Sequence, residues 1–358
     1  MPLTASTPKP LVRFGSQGSI IDYTLYNCLD SKASNVLVLT QYLAYMVEKY
    51  INNNWTEAFS NTGRRIRSIS AKRLGKNSYD GTADAVYQVL HSLDKLPDCV
   101  VVLAADHIYK MDYRKMIEFH QSGNNTATVG CIECEPTQAY RFGIMNINDD
   151  FTVDGFFEKP KDPQLFNDRQ SLLASMGIYV FNSDALMEYL IQNQKEQSHD
   201  FGHDIIPMMV KKGDARAFQY KDNNGSKPYW RDVGDLSAYW QAHMELIKND
   251  HDLLNFSPVA GLKQLPFSRK DIILKHDIET YKVFQSSIAH TAHIGHAVIK
   301  NSIVCPGVRV EDGVNISNSV LLDGSKVAAG VDISDSLVMP RTRVFSKGQY
   351  NIHIAGSR

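Results

Sequence analysis

The stretch NSIVCPGVRVEDGVNI, Asn301–Ile316, is followed one residue later by NSVLLDGSKVAAGVDI, Asn318–Ile333. Superposing the two gives a period of 17 residues that continues into a third copy. Ser302, Ser319 and Ser336 correspond, as do Ile303, Val320 and Leu337, and Val310, Val327 and Val344. Gly307 matches Gly324, Gly313 matches Gly330, Val314 matches Val331, and Ile316 matches Ile333. Three short strands per copy, joined at glycine-bearing corners, would set each apolar residue above its counterpart. One coil cannot bury such side chains alone, whereas several stacked coils can. A sandwich of irregular hairpins has no need of three copies in register. Residues 284–358 are therefore expected to form a parallel β-helix of the hexapeptide type.

Upstream of residue 250 the texture differs. Short apolar runs alternate with amphipathic stretches, the pattern of βα units around a mainly parallel sheet. Asn35–Thr40 (NVLVLT), Cys99–Leu103 (CVVVL), Ala127–Ile132 and Gly177–Phe181 (GIYVF) read as strands. Their short length and Val/Ile content favour strand over buried helix. Helices are expected from Tyr42 to Asn54, from a Thr82 cap to Leu93, and around Tyr113–Gln121. Three regions result: 1–250, a linker at 251–283 with Pro258 and Pro266, and the repeats at 284–358.

Composition narrows the function. With 38 basic and 39 acidic side chains the 358-residue chain carries a formal charge of −1, so no basic excess is available for nucleic acid. No apolar run approaches the ~20 residues that span a bilayer. MPLTASTPKP lacks the apolar core of a signal peptide, and five scattered cysteines make no secreted disulfide framework. A cytoplasmic protein is expected.

Several constellations can carry chemistry. Val101–Lys110 (VVLAADHIYK) puts Asp106 directly after an apolar strand. In open α/β sheets ligands sit outside the carboxyl ends of strands, and a carboxylate there can hold Mg²⁺ against nucleotide phosphates. A loop acid capping the next helix is the alternative, and His107 shares the ambiguity. Tyr229–Gly234 (YWRDVG) offers a second acid, Asp232. Asn77–Ala85 (NSYDGTADA) joins a glycine and a hydroxyl to a helix start, where backbone N–H groups can meet a polar ligand. In Phe157–Pro160 (FEKP), Glu158 could bind sugar hydroxyls and Lys159 a phosphate, or the two could form a surface ion pair. His290, His293 and His296 recur every third residue, which suits solvated side chains on a coil better than a metal site. Cys131 and Cys134 form a CxxC with no second pair, so core or loop cysteines are expected.

Taken in order, KPLVRFG (Lys9–Gly15), IIDYTLYNCLDS (Ile20–Ser31), LTQY (Leu39–Tyr42), YDGTADAV, AADHIYKMDY, RFGIM (Arg141–Met145), FEKP, LASMGIYVF (Leu173–Phe181), SHDFGHDIIP (Ser198–Pro207) and PYWRDVGDLSAYW (Pro228–Trp240) resemble the bacterial glucose-1-phosphate adenylyltransferases, or ADP-glucose pyrophosphorylases. The resemblance runs from residue 2 to the end. It implies an α/β, Rossmann-like nucleotidyltransferase domain of GT-A type with a C-terminal left-handed parallel β-helix. It implies the reaction of ATP with α-D-glucose 1-phosphate to give ADP-glucose and diphosphate in glycogen biosynthesis. By similarity Asp106 and Asp232 would bind Mg²⁺, with Lys159 alongside them in catalysis. Tyr79, Gly143, Glu158, Lys159 and Ser175 would hold glucose 1-phosphate, and Gln41, Gly81 and Thr82 would lie near the adenine. A homotetramer, or a heterotetramer with a paralogue, is the implied assembly.

The departures are specific. Relatives carry a strand and a GGxGTRL loop before the PLT that here is Pro2–Thr4. Lacking them, the chain is expected to leave neighbouring strands short of ladder partners and to be a poor enzyme. Ser6, Thr7 and Ser19 stand where many relatives place basic residues, so activation by phosphorylated sugars should be altered or absent. Ala105 replaces a usual glycine before Asp106. Three readings follow: an adenylyltransferase, a non-catalytic regulatory subunit or inactive fragment of this family, and a pyrophosphorylase for another nucleotide or sugar.

Overall fold

The computed structural model describes residues 2–351 except 163–165, 167–168, 223–224, 226, 249–255, 264, 268, 278–279 and 346–348. The last seven residues assigned to the repeats, and residues 251–255 of the expected linker, lie outside this set.

The first half follows the alternation of its apolar runs. Helix α1 (Ile20–Asp30) is buried along nearly its whole length. Its start is fixed by Asp22, whose carboxylate accepts hydrogen bonds from Ser19 N (2.7 Å), Tyr50 OH (2.7 Å) and Trp55 Nε1 (2.8 Å). Three donors are what a fully buried carboxylate needs. Strand β1 (Asn35–Thr40), helix α2 (Ala44–Asn54) and strand β2 (Arg65–Ser70) follow, and β1 pairs with β2 in parallel from Asn35↔Arg65 to Thr40↔Ser70. Helix α2 begins two residues later than the periodicity suggests, because Leu43 takes a left-handed φ of 48°.

Helix α3 (Thr82–His91) leads to β3 (Cys99–Leu103), then β4 (His107–Tyr109) and α4 (Tyr113–Ser122). The expected Thr82 cap is corrected here. Gly81 holds the cap position at φ 132°, and the Thr82 hydroxyl is bonded elsewhere. The helix also stops at His91, short of Leu93.

Strands β5 (Ala127–Cys134), β6 (Gly143–Ile147), β7 (Val153–Glu158) and β8 (Leu172–Asn182) come next, with helix α5 (Ser183–Asn193), helix α6 (Ile206–Lys212) and strand β9 (Ala215–Gln219) after them. They build a six-stranded sheet in the order β9-β5-β8-β6-β7, with β3 also on β8. Strand β9 runs parallel to β5, while β8 runs antiparallel to β3, β5 and β6. Four strands thus share one direction and β7 and β8 oppose them. Strand β8 serves three neighbours because its register shifts between Ser175 and Tyr179, where Gly177 sits at φ 66°. Among the described residues, β1 and β3 have no ladder to one another, so the β1–β2 pair stands apart from this sheet. Strand β10 (Trp230–Asp232) and helix α7 (Leu236–Lys248) complete this half.

Residues read as linker contribute to the core. Phe256 meets Tyr23 and Tyr26 edge-on at 5.6 and 4.7 Å, and Phe267 is fully buried against Gly15. A Cβ on Gly15 would stand 2.5 Å from Phe267, so this close approach requires glycine.

From Tyr281 onward the chain coils. Parallel ladders join Ile303–Val304 to Val320–Leu321 and Leu337–Val338, and Arg309–Val310 to Lys326–Val327 and Arg343–Val344. The 17-residue register is thereby realised as a parallel β-helix. Ser302, Ser319 and Ser336 form a buried column in which Ser319 N donates to Ser302 Oγ (3.0 Å) and Ser336 N to Ser319 Oγ (3.1 Å). His290, His293 and His296 are exposed, as expected. Cys131 and Cys134 are buried in β5 with free thiols that burial pushes up to about 12 and about 11. Among the described residues, no helix is long and apolar enough to cross a membrane.

Candidate active site

Asp106 and Asp232 lie far apart in sequence, and a short ladder brings them together. Strand β10 pairs antiparallel with β4 in the register Trp230↔Tyr109, Arg231↔Ile108 and Asp232↔His107. Asp232 therefore ends its strand opposite the residue after Asp106. Asp232 lies in a strand, and Asp106 stands at the entry to its ladder partner. One ligand atom each of Asp106, His107 and Asp232 lies within 4.8 Å of the others.

Cations surround this cluster. Lys9 Nζ is 2.6 Å from Asp106 Oδ2 and 3.8 Å from Asp232 Oδ1. Arg141 Nη2 lies 3.8 Å from Asp232 Oδ2 and 3.6 Å from Asp235 Oδ2. His107 Nδ1 lies 3.1 Å from the Met176 carbonyl, which turns Nε2 toward Asp106 Oδ1 at 3.6 Å. Burial pushes the Asp106 carboxyl up, but His107 and the Lys9 ammonium outweigh it and hold the group below the usual carboxylate range. A pair of carboxylates offers hard oxygen donors, and an ammonium already occupies the space between them. The residues fit a divalent cation that prefers oxygen ligands.

Neither Lys9 nor Arg141 was assigned a role in this cluster from sequence. A signal for Lys9 was available: the first 30 residues contain only two cations, Lys9 and Arg13. Lys9 also lines a cavity of about 510 Å³ with Val38, Leu39, Thr40, Gln41, Tyr42 and Ala105, so the cavity opens beside Asp106.

A second group gathers around Glu158, the last residue of β7. Gly143 pairs with Glu158 across the β6–β7 ladder. Lys159 follows at a left-handed φ of 45°, donates its N–H to the Phe142 carbonyl (3.0 Å), and holds an exposed Nζ 3.6 Å from Glu158 Oε1. A non-glycine residue in that conformation is strained, and such strain concentrates at functional positions. Ser175 lies at the β8 irregularity, where its Oγ accepts from Gly177 N (3.3 Å). Gly202, unremarked in the sequence except within SHDFG, faces the Glu158 carboxylate directly.

Other predicted residues are placed less simply. Gln41 Oε1 accepts from Tyr79 N (2.8 Å), and Tyr79 OH donates to the Ile69 carbonyl (3.2 Å), leaving the Tyr79 ring buried. Thr82 Oγ1 donates to Asp200 Oδ2 (2.9 Å) and accepts from Phe201 N (3.1 Å). Gly81 lies against the His199 carbonyl, where a Cβ would come within 2.2 Å. The Gly81–Thr82 corner is therefore the seam on which Ser198–Phe201 is laid, and that segment brings Gly202 to Glu158.

Comparison with known proteins gives a consistent result. The nucleotidyl transferase family matches residues 1–249, and the GlmU-like, C-terminal hexapeptide family matches residues 271–349. Glucose-1-phosphate adenylyltransferase of Acetivibrio thermocellus is 37% identical over 319 residues, covering 88% of this chain and 71% of the relative. Glucose-1-phosphate adenylyltransferase 2 of Alkalilimnicola ehrlichii is 37% identical over 328 residues, with 88% and 76% covered. The Hydrogenovibrio crunogenus protein called glucose-1-phosphate adenylyltransferase is 36% identical over 317 residues, with 86% and 75% covered.

Proposed function

Because this chain belongs to the nucleotidyl transferase family, among the glucose-1-phosphate adenylyltransferases, we propose that it joins ATP to α-D-glucose 1-phosphate, giving ADP-glucose and diphosphate for glycogen synthesis. The observation that carries the reading is the convergence of Asp106 and Asp232 on the β4–β10 ladder, with Lys9 between them. A phosphate oxygen of glucose 1-phosphate attacks the α-phosphorus of ATP in line. The bond from that phosphorus to the bridging oxygen breaks, and diphosphate leaves. No side chain forms a covalent intermediate, so the protein contributes position and charge.

Asp106 and Asp232 would hold Mg²⁺, which would supply charge neutralisation for the leaving diphosphate. Lys9, which lines the adjoining cavity, offers its ammonium to the triphosphate there. Lys159 counters the sugar phosphate, Glu158 accepts hydrogen bonds from glucose hydroxyls, and Gly143 and Ser175 shape the floor beneath them. Gln41 and the Gly81–Thr82 corner border the adenine. Tyr79 contributes its buried ring, since its hydroxyl is engaged by Ile69. A tetramer in the cytoplasm completes the reading, and light scattering tests the assembly.

The deciding experiment is Mg²⁺-dependent diphosphate release from ATP and glucose 1-phosphate. Release that falls at least a hundredfold in Asp106→Ala supports the reading. Release indifferent to that substitution, or none from folded protein, overturns it.

A further inference from the structure

We propose that Arg13 is a positioning residue for Lys9, and that Asp323 of the β-helix is the group it acts through. What Lys9 does in turnover rests on the adenylyltransferase reading; the coupling itself rests on geometry alone. Lys9–Leu11 is a single 3₁₀ turn, closed by Leu11 N to Pro8 O (2.8 Å) and Val12 N to Lys9 O (3.0 Å), with Pro10 fixing its φ. The next residues, Arg13–Phe14, pair with Gly18–Ser19 as a tight hairpin, and Ile20 N returns to Val12 O (3.1 Å). One rigid turn therefore separates the backbone of Lys9 from that of Arg13.

The guanidinium of Arg13 forks onto Asp323, with Nε 3.2 Å from Oδ1 and Nη2 2.9 Å from Oδ2. Its Nη1 donates to the Gln17 carbonyl inside the hairpin. Arg13 thus ties the hairpin shut and fastens it to the β-helix with the same group. The neighbouring residues are fastened there too: Ser287 Oγ bonds Ser16 Oγ at 2.8 Å, and Cys305 Sγ lies 3.6 Å from Gly15 O.

The repeat departs from its own pattern at this contact. One period before Asp323 stands Pro306 and one period after stands Pro340, so only the middle coil of the three presents a carboxylate at this corner. A partly exposed ion pair contributes little to stability. A two-point fork instead fixes direction, and the direction fixed here is that of the segment whose other end places an ammonium on Asp106.

The test uses the full chain with its lysines carried as ¹³C-dimethyl-lysine, which keeps their charge. The Lys9 signal is assigned by Lys9→Arg. Arg13→Gln and Asp323→Asn are expected to shift the Lys9 signal toward those of exposed lysines while leaving the other lysine signals in place. Asp323→Pro, which restores the pattern of the flanking coils, supplies a variant suited to the corner and is expected to do the same. An unmoved Lys9 signal in all three, with the fold intact by circular dichroism, overturns the proposal whether or not the chain is active. In turnover, Arg13→Gln should lower kcat about tenfold with the KM for glucose 1-phosphate unchanged, and add no further loss to Lys9→Ala. Losses that multiply would show that Arg13 acts independently of Lys9 and would equally overturn it. Absence of diphosphate release from the unsubstituted chain would sink the adenylyltransferase reading, and the Lys9 signal would still decide the coupling.

Discussion

The carboxylate of Glu158 lies against the α-carbon of Gly202, so close that a Cβ on Gly202 would come within 2.8 Å of Oε2. Gly143 flanks the same oxygen, where a Cβ would stand at 2.9 Å. Glu158 can hold this pose only because both neighbours lack side chains. Gly202→Ala should therefore push the carboxylate out of place. Steady-state kinetics should show the KM for glucose 1-phosphate raised about tenfold, or ~1.4 kcal/mol, with the KM for ATP nearly unchanged. Equal effects on both substrates would place the glutamate outside the sugar subsite.

Lys9 stands where a divalent cation held by Asp106 and Asp232 would sit, so the two are expected to compete for Asp106. Removing the ammonium with Lys9→Ala should tighten binding of Mn²⁺ alone, measured by electron paramagnetic resonance, because one occupant of the carboxylate pair is gone. The same substitution should lower kcat by about a hundredfold, because the triphosphate loses a charge. Metal binding that stays the same would mean the Lys9–Asp106 contact carries no competition.

Much of this architecture is legible in sequence where structure repeats or runs straight. The 17-residue register survives as stacked ladders because each coil presents the same residues to the same neighbours. NVLVLT and CVVVL become β1 and β3 with unchanged bounds, since short Val/Leu-rich runs favour the extended backbone even where, as here, most of their side chains are only half-buried. Contacts that depend on chain return are harder to read. Asp232 meets Asp106 through a three-residue ladder, and no local pattern marks its register. Thr82 looks like a helix cap until Asp200, 118 residues away, claims its hydroxyl. Lys9 is conspicuous only as a cation in a stretch that has two, and its partner lies 97 residues on.

The serine column of the β-helix gives a stability prediction. Ser319 Oγ accepts from Ser336 N (3.1 Å) and donates to the Ser317 carbonyl (2.7 Å), fully buried in both roles. Ser319→Ala leaves the Ser336 amide without its acceptor inside the coil. A loss of about 1–3 kcal/mol is expected in urea unfolding of the β-helix. A loss under a few tenths of a kcal/mol would show that the column is ornamental to folding.

His243 sets an acid limit on the junction between the two halves. It is fully buried, and burial lowers its pKa from 6.5 to about 4 against the opposing pull of the hydrogen bond to the Tyr239 carbonyl. Its two contacts define the neutral tautomer: Nδ1–H donates to Tyr239 O (2.8 Å) and Nε2 accepts from Gly15 N (3.1 Å). Protonation would set an N–H at Nε2 against the Gly15 N–H. The folded pKa lies below the unfolded one, so the stabilisation is fully present above pH 6.5 and is lost as pH falls toward 4. At pH 5 the unfolded chain binds a proton there that the folded chain refuses, costing about 2 kcal/mol. Urea midpoints at pH 7 and pH 5 should therefore differ more in the unsubstituted chain than in His243→Gln, whose amide oxygen can still accept from Gly15. The same pH dependence in both proteins would remove His243 as the source, and the acid sensitivity would then belong to the carboxylates.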